Sequence, residues 1–113
     1  MIFGEWIKEF PGGIIVTDAA GKIIDMNEVA CKTWEKFGGS GLIGKNILDV
    51  HTEPSRSKVK EMLETQAANK YTIDKNGVKK LIYQTPWYKA GAYAGFVELA
   101  LEIPKDMTNY IRG

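Results

Sequence analysis

Two side chains in this sequence are suited to nucleophilic or metal chemistry, Cys31 and His51, and each is the only residue of its type. A single cysteine cannot form an intramolecular disulfide, and one histidine with one cysteine falls short of the three or four ligands that a zinc site needs. The Ser/His/Asp order of a hydrolase, a Gly-Lys-Ser/Thr phosphate loop and a His-Glu-x-x-His helix are all missing. The glycine-rich stretch Gly38-Gly39-Ser40-Gly41 precedes neither a strong helix nor a lysine at phosphate-loop spacing, so it reads as a flexible loop. Cys31 reads as a small buried or half-buried hydrophobe, and His51 as a loop or capping residue. These readings exclude the common hydrolytic, nucleotide-cleaving and zinc chemistries and point to a protein that makes no covalent change.

Composition narrows the class further. The chain has 113 residues, enough for one hydrophobic core and too few for two. Fifteen basic residues against fourteen acidic ones leave a net charge of +1, so no electrostatic footprint favours nucleic acid or an anionic membrane surface. No apolar run approaches the ~18 residues of a membrane span, and no basic segment followed by an apolar one marks a secretory signal. The lone cysteine fits a reducing compartment, and a cytoplasmic location is expected.

The elements that must position any site follow from periodicity. Ile2, Phe3, Trp6, Ile7 and Phe10 recur at spacings of three and four and form one apolar helical stripe over residues 1–10. Pro11-Gly12-Gly13 ends it. Ile14 to Asp18 and Lys22 to Met26 read as strands joined by the turn Asp18-Ala19-Ala20-Gly21. Asn27 is an N-cap for a helix over Glu28 to Phe37 that stops at Gly38-Gly39. Leu42-Ile43-Gly44 and Ile47-Leu48-Asp49-Val50 read as short turns anchored by apolar residues. Pro54 opens a helix running to about Ala68, with Val59, Met62, Leu63 and Gln66 on one face. Three strands close the chain, Tyr71 to Asp74, Val78 to Tyr88 and Tyr93 to Ile103, separated by the hairpin signals Lys75-Asn76-Gly77 and Lys89-Ala90-Gly91.

The residues at the joints resemble those of the PAS domain family. Asp18, Gly21, Ile23, Asn27 and Ala30 are similar to its first block, in which Asp, a turn, Gly and an aliphatic residue lead to an Asn that opens a helix. Leu42-Ile43-Gly44-Lys45, Asp49 and His51-Thr52-Glu53-Pro54-Ser55-Arg56 look like the block leading into its long helix. Lys75-Asn76-Gly77, Pro86, Gly91 and Glu102-Ile103-Pro104 resemble the third. The resemblance spans roughly residues 11–104, with 1–10 as an N-terminal amphipathic helix and 105–113 as a tail. It implies an α+β fold: a five-stranded antiparallel sheet in the order 2-1-5-4-3, helices over one face around a small cavity, and an N-terminal capping helix. Pro86 would be costly inside a central strand, but the fourth strand reads as longer than the third, so Pro86 can overhang its partner. Where the family closes on Asp-Ile-Thr this chain has Pro104 in the last position, followed by nine residues; for a protein that ends there, signalling is expected through association.

The resemblance also carries expectations about cofactors. Flavin-adduct photoreceptors of the family need a cysteine after the asparagine of Gly44-Lys45-Asn46, where this chain has Ile47. Haem-binding members ligate iron from the long helix, at the position held here by Val59. Both chemistries are disfavoured, and the expected ligand is an unidentified small molecule. Family members place strand residues in phase with the matching proline toward the cavity. Carried over, Ile82 and Gln84 face inward, opposite Phe96, Glu98 and Ala100, with Ile15, Thr17 and Thr72 alongside and Val59, Met62 and Leu63 above. Glu98 has three further readings: an ion pair with Lys80, a solvent-facing position one register away, or, in an enzyme, a general base. The opposite phase presents Tyr83, Thr85, Trp87, Val97, Leu99 and Leu101, a face too apolar to stay wet. The stripe of Phe3, Trp6, Ile7 and Phe10 is its expected cover, from a second copy in a homodimer or from the same chain in a monomer. A signalling partner protein is the further expected contact, and the alternative function is an interaction module with a packed core and no ligand.

Overall fold

The computed structural model describes residues 2–113, with side chains from Gly4 onward. Helix α1 (Ile2–Lys8) leads into strands β1 (Gly13–Thr17) and β2 (Ile23–Met26), helix α2 (Glu28–Thr33), two short 3-10 turns (Glu35–Phe37 and Gly39–Leu42), helix α3 (Ser55–Thr65), and strands β3 (Asn69–Lys75), β4 (Val78–Lys89) and β5 (Ala92–Ile103). The five strands form one antiparallel sheet in the order β2-β1-β5-β4-β3, as the resemblance implies. Residues 104–113 form no helix or strand.

Turn chemistry sets this topology. Asp18 Oδ1 accepts the N–H groups of Ala20 (3.0 Å) and Lys22 (2.9 Å), which fixes the β1–β2 turn. The β3–β4 and β4–β5 turns each have two central residues at positive φ, Asn76-Gly77 and Ala90-Gly91, and so close tight two-residue hairpins. Pro86 stands beyond the last β3–β4 pair, Asn69 with Gln84, so its missing N–H removes no bond to β3.

Asn27 ties four segments together. Its Oδ1 accepts from Ile14 N–H (2.9 Å) and from Ala30 N–H (3.1 Å), capping α2. Its Nδ2 donates to the carbonyls of Gly12 (2.8 Å) and Ile7 (3.1 Å), anchoring the end of α1. Ile15, Ile23, Met26, Ala30 and Leu42 form the core against this corner, with Trp34, Ile47 and Val50 packed on it.

Some boundaries depart from the sequence reading. The second helix stops at Thr33 and continues as a 3-10 turn, its C-cap Trp34 N–H bonding to Ala30 O. The long helix ends at Thr65 rather than near Ala68, because Gln66 adopts the left-handed conformation and its N–H closes on Met62 O. The third strand is longer than expected, with Asn69 opposite Gln84 as its first pair.

Candidate functional site

Side chains alternate across the sheet, and directly opposed residues share a face. The register puts Ile15 opposite Glu98, and Gln84 opposite both Glu98 and Asn69. Ile15, Gln84 and Glu98 lie on the inner face, toward α3, and border a cavity of about 90 Å³; Asn69 shares their phase but is not part of the lining. Of the residues expected there, Ile15, Thr17, Val59, Met62, Leu63, Gln84, Phe96 and Glu98 border it.

Three do not. Thr72 pairs with Leu81, which places it on the outer face, where it is exposed; Tyr71, opposite Ile82, takes the inner position instead. Ile82 and Ala100 are in the inner phase and pair with each other, but they lie farther along the sheet than the cavity reaches. Val97, expected on the outer face, also borders the cavity between its two inward neighbours. The rest of the lining comes from β2, α2's end and the irregular segment: Ile23, Met26, Trp34, Leu42, Ile47, Val50 and His51.

The polar groups of the cavity form a directed set. Asn69 Nδ2 donates to Gln84 Oε1 (3.2 Å), and Gln84 Nε2 donates to Glu98 Oε1 (2.7 Å). This relay orients the carboxylate, which has no donor of its own when ionised. Lys80 lies opposite Glu102, four residues along β4 from the Glu98 pair, so it is not the partner of Glu98. Tyr71 sits beside the same corner: burial first and the Glu98 carboxylate second push its phenol above the ordinary range, opposed by a hydrogen bond with Gln84. At the other side, Thr17 Oγ1 accepts the Phe96 N–H (3.2 Å). His51 Nδ1 lies 2.8 Å from the Ile47 carbonyl. A carbonyl only accepts, so the hydrogen sits on Nδ1.

Thr17 also connects the two faces. Its carbonyl accepts the indole N–H of Trp87 (2.9 Å), a residue in the outer phase of β4. Trp87 lies opposite Gly95, and a Cβ at Gly95 would fall 2.0 Å from Thr17 O. The end of β1 therefore comes close against β5 at Gly95, where no side chain stands in its way.

On the outer face Tyr83, Trp87, Leu99 and Leu101 are half-buried, and Lys70 Nζ lies 4.9 Å from the Tyr83 ring centre. Trp6 of α1 is 51% exposed, Ile7 and Phe10 are half-buried, and Phe10 and Leu101 approach each other over Gly12. The side chain of Phe3 lies outside the described residues. Cys31 is half-buried, and burial, then Asp25 and Glu28, push its thiol upward, away from the reactive thiolate. Among the described residues no group of three or more His, Cys, Asp and Glu could hold a metal ion, and no helix is long and apolar enough to cross a membrane.

Comparison with known proteins agrees with this architecture. The PAS domain of an HTR-like protein from Haloarcula marismortui superposes with a TM-score of 0.62 at 16% identity, over 90% of this chain and 89% of that one. A sensory box sensor histidine kinase from Vibrio cholerae gives 0.61 at 14% identity, over 91% and 90%. VqmA, in a structure described as bound to DPO, gives 0.61 at 17% identity over 90% of this chain, which spans 57% of VqmA. At these identities the likeness is one of fold. No curated protein matches the chain at the sequence level. The family model described as PAS fold matches residues 6–72, more than half of the sequence. With that match, the strand order and the solved neighbours, the chain belongs to the PAS fold family.

Proposed function

We propose that this domain is a non-catalytic sensory module that takes a small molecule into the cavity beneath α3 and passes on its occupancy through the outer sheet face. The observation that carries this reading is the directed relay Asn69–Gln84–Glu98 at the edge of an otherwise apolar cavity. Apolar walls with a few oriented polar groups are how proteins bury and orient small ligands. The solved neighbour VqmA, described as bound to DPO, is a protein of the same fold.

The cavity also limits the guest. Ninety cubic ångströms is far below the ~300–1,000 Å³ of drug-sized pockets. A flavin or a haem would require it to widen. Transmission requires that the guest bind two states of the domain with different affinity. The half-buried outer face and the exposed Trp6 support a second copy of the chain, or a signalling partner, as the recipient.

A second reading has its own support. Met62, Ile82 and Phe96 are buried and fill much of the inner space, as in an interaction module that needs no ligand. Native mass spectrometry of the protein as purified separates the two. A mass excess lost on denaturation is expected for the sensory module and weighs the ligand directly. A bare dimer would favour the interaction module, and a bare monomer would remove the homodimer from both readings.

A further inference from the structure

The polar atoms around the cavity can be counted by what each still has to offer. Gln84 is engaged at both ends, accepting from Asn69 and donating to Glu98. Thr17 Oγ1 is already the acceptor for Phe96 N–H, and His51 Nδ1 is committed to the Ile47 carbonyl. What remains for accepting is the rest of the Glu98 carboxylate and, in the neutral ring, His51 Nε2. The donors that remain, the Thr17 hydroxyl, the second N–H of Gln84 and the Trp34 indole N–H, are all neutral. Apart from Glu98 and His51 the described lining is uncharged, with no lysine or arginine in it. The Glu98 carboxylate is thus held in place, half-buried, and answered only by an amide. A carboxylate withdrawn from water gains most from a charged donor.

We infer that the cavity selects a compact organic ammonium ion, its N–H groups on Glu98 and its aliphatic part against Ile15, Met62, Trp34 and Phe96. The inference rests on the reading that the cavity receives a ligand. Size agrees with it, since a cavity of about 90 Å³ suits a compact guest rather than a drug-sized one. A carboxylate or phosphate guest would meet Glu98 with like charge. A neutral alcohol could still bond to Glu98, but through the weaker of the two kinds of hydrogen bond.

The test uses three probes of one carbon skeleton: isobutylammonium chloride, isobutanol and sodium isobutyrate. Each is titrated into the full chain at matched ionic strength, in a slightly alkaline buffer free of amines. Amide correlation NMR follows Phe96, Glu98 and the Trp34 indole. Isobutylammonium should bind about tenfold tighter than isobutanol, the difference between a charge-assisted and a neutral hydrogen bond, and isobutyrate weakest. In Glu98→Gln, which keeps the shape and can still accept from Gln84, the ammonium should fall to the affinity of the alcohol. Equal or tighter binding of the alcohol to the wild type, a comparison that needs no variant, overturns the inference but leaves the cavity reading standing. So does a preference that survives Glu98→Gln. If no probe moves the cavity resonances, the cavity reading itself fails and takes the inference with it.

Discussion

The two ends of the sheet are built differently. Where β1, β2 and α2 meet, Ile23 is 1% exposed, Asn27 is buried with both ends of its amide bonded, and close backbone contact is made possible by glycine. Where β3 and the adjoining part of β4 face α3, the pattern opens. Most of β3 is exposed, Tyr71 is 42% exposed, and Met62 is the one fully buried residue of α3. The closed end has its donors and acceptors hydrogen-bonded and supplies an apolar wall of the cavity through Ile23 and Met26; the open end has the carboxylate, the amide relay and the partly exposed Tyr71. The difference sets up a test: substitutions at the closed end should unfold the domain, and, on the proposed sensory reading, those at the open end should change ligand preference.

The sharpest test of the closed end is Gly95→Ala. The new Cβ would collide with the Thr17 backbone at a φ of +141°, so overpacking and backbone strain combine. A loss of about 2–6 kcal/mol is expected in urea unfolding. A loss below 1 kcal/mol would show that the β1–β5 approach can move aside. Asn27→Ala removes a helix cap and strands the buried Ile14 N–H, so about 2–4 kcal/mol should be lost, with the end of α1 released. Trp87→Phe deletes one hydrogen bond to Thr17 O and should cost about 1 kcal/mol.

At the open end, Gln84→Leu should change stability by less than about 1 kcal/mol, because water can reach the half-buried Asn69 and Glu98. The same variant should alter ligand preference, since the carboxylate is no longer oriented; a large stability loss with unchanged binding would dissolve the contrast between the two ends. The smallest effect lies in alkali. Tyr71 has a phenol pKa raised above its ordinary 10.0, so the folded state keeps the proton longer than the unfolded state. That contribution is complete below the ordinary value and is lost as pH rises through the raised one. Tyr71→Phe should therefore flatten the alkaline limb of the stability profile slightly; an unchanged limb would place the phenol away from Glu98.

The sequence made the closed end readable and the open end less so. Asp18, Gly21 and Asn27 announce a turn and a cap with one geometry each, and the two hairpins follow from Asn76-Gly77 and Ala90-Gly91. The inward phase of Gln84 and Glu98 is what the family resemblance implies, carried over through the match at Pro86. Thr72 was misplaced although the signal was there. A two-residue turn at Asn76-Gly77 sets Lys75 opposite Val78, and counting outward brings Tyr71, not Thr72, to the face of Ile82. The contributions of Trp34, Leu42, Ile47, Val50 and His51 were not readable in this way. They come from 3-10 turns and loop, where no period of two or 3.6 fixes a direction, and tertiary packing alone decides which side chains turn inward.

The close approach at Gly95 has a mechanical consequence. Thr17 holds the cavity wall with its hydroxyl and the far side of the sheet with its carbonyl, within one residue whose two groups are separated by a few covalent bonds. Any displacement that tilts Thr17 must drag the Trp87 indole with it or break that bond. Gly95 is what lets the Thr17 backbone come this close, so the two faces of the sheet are tied together through one residue.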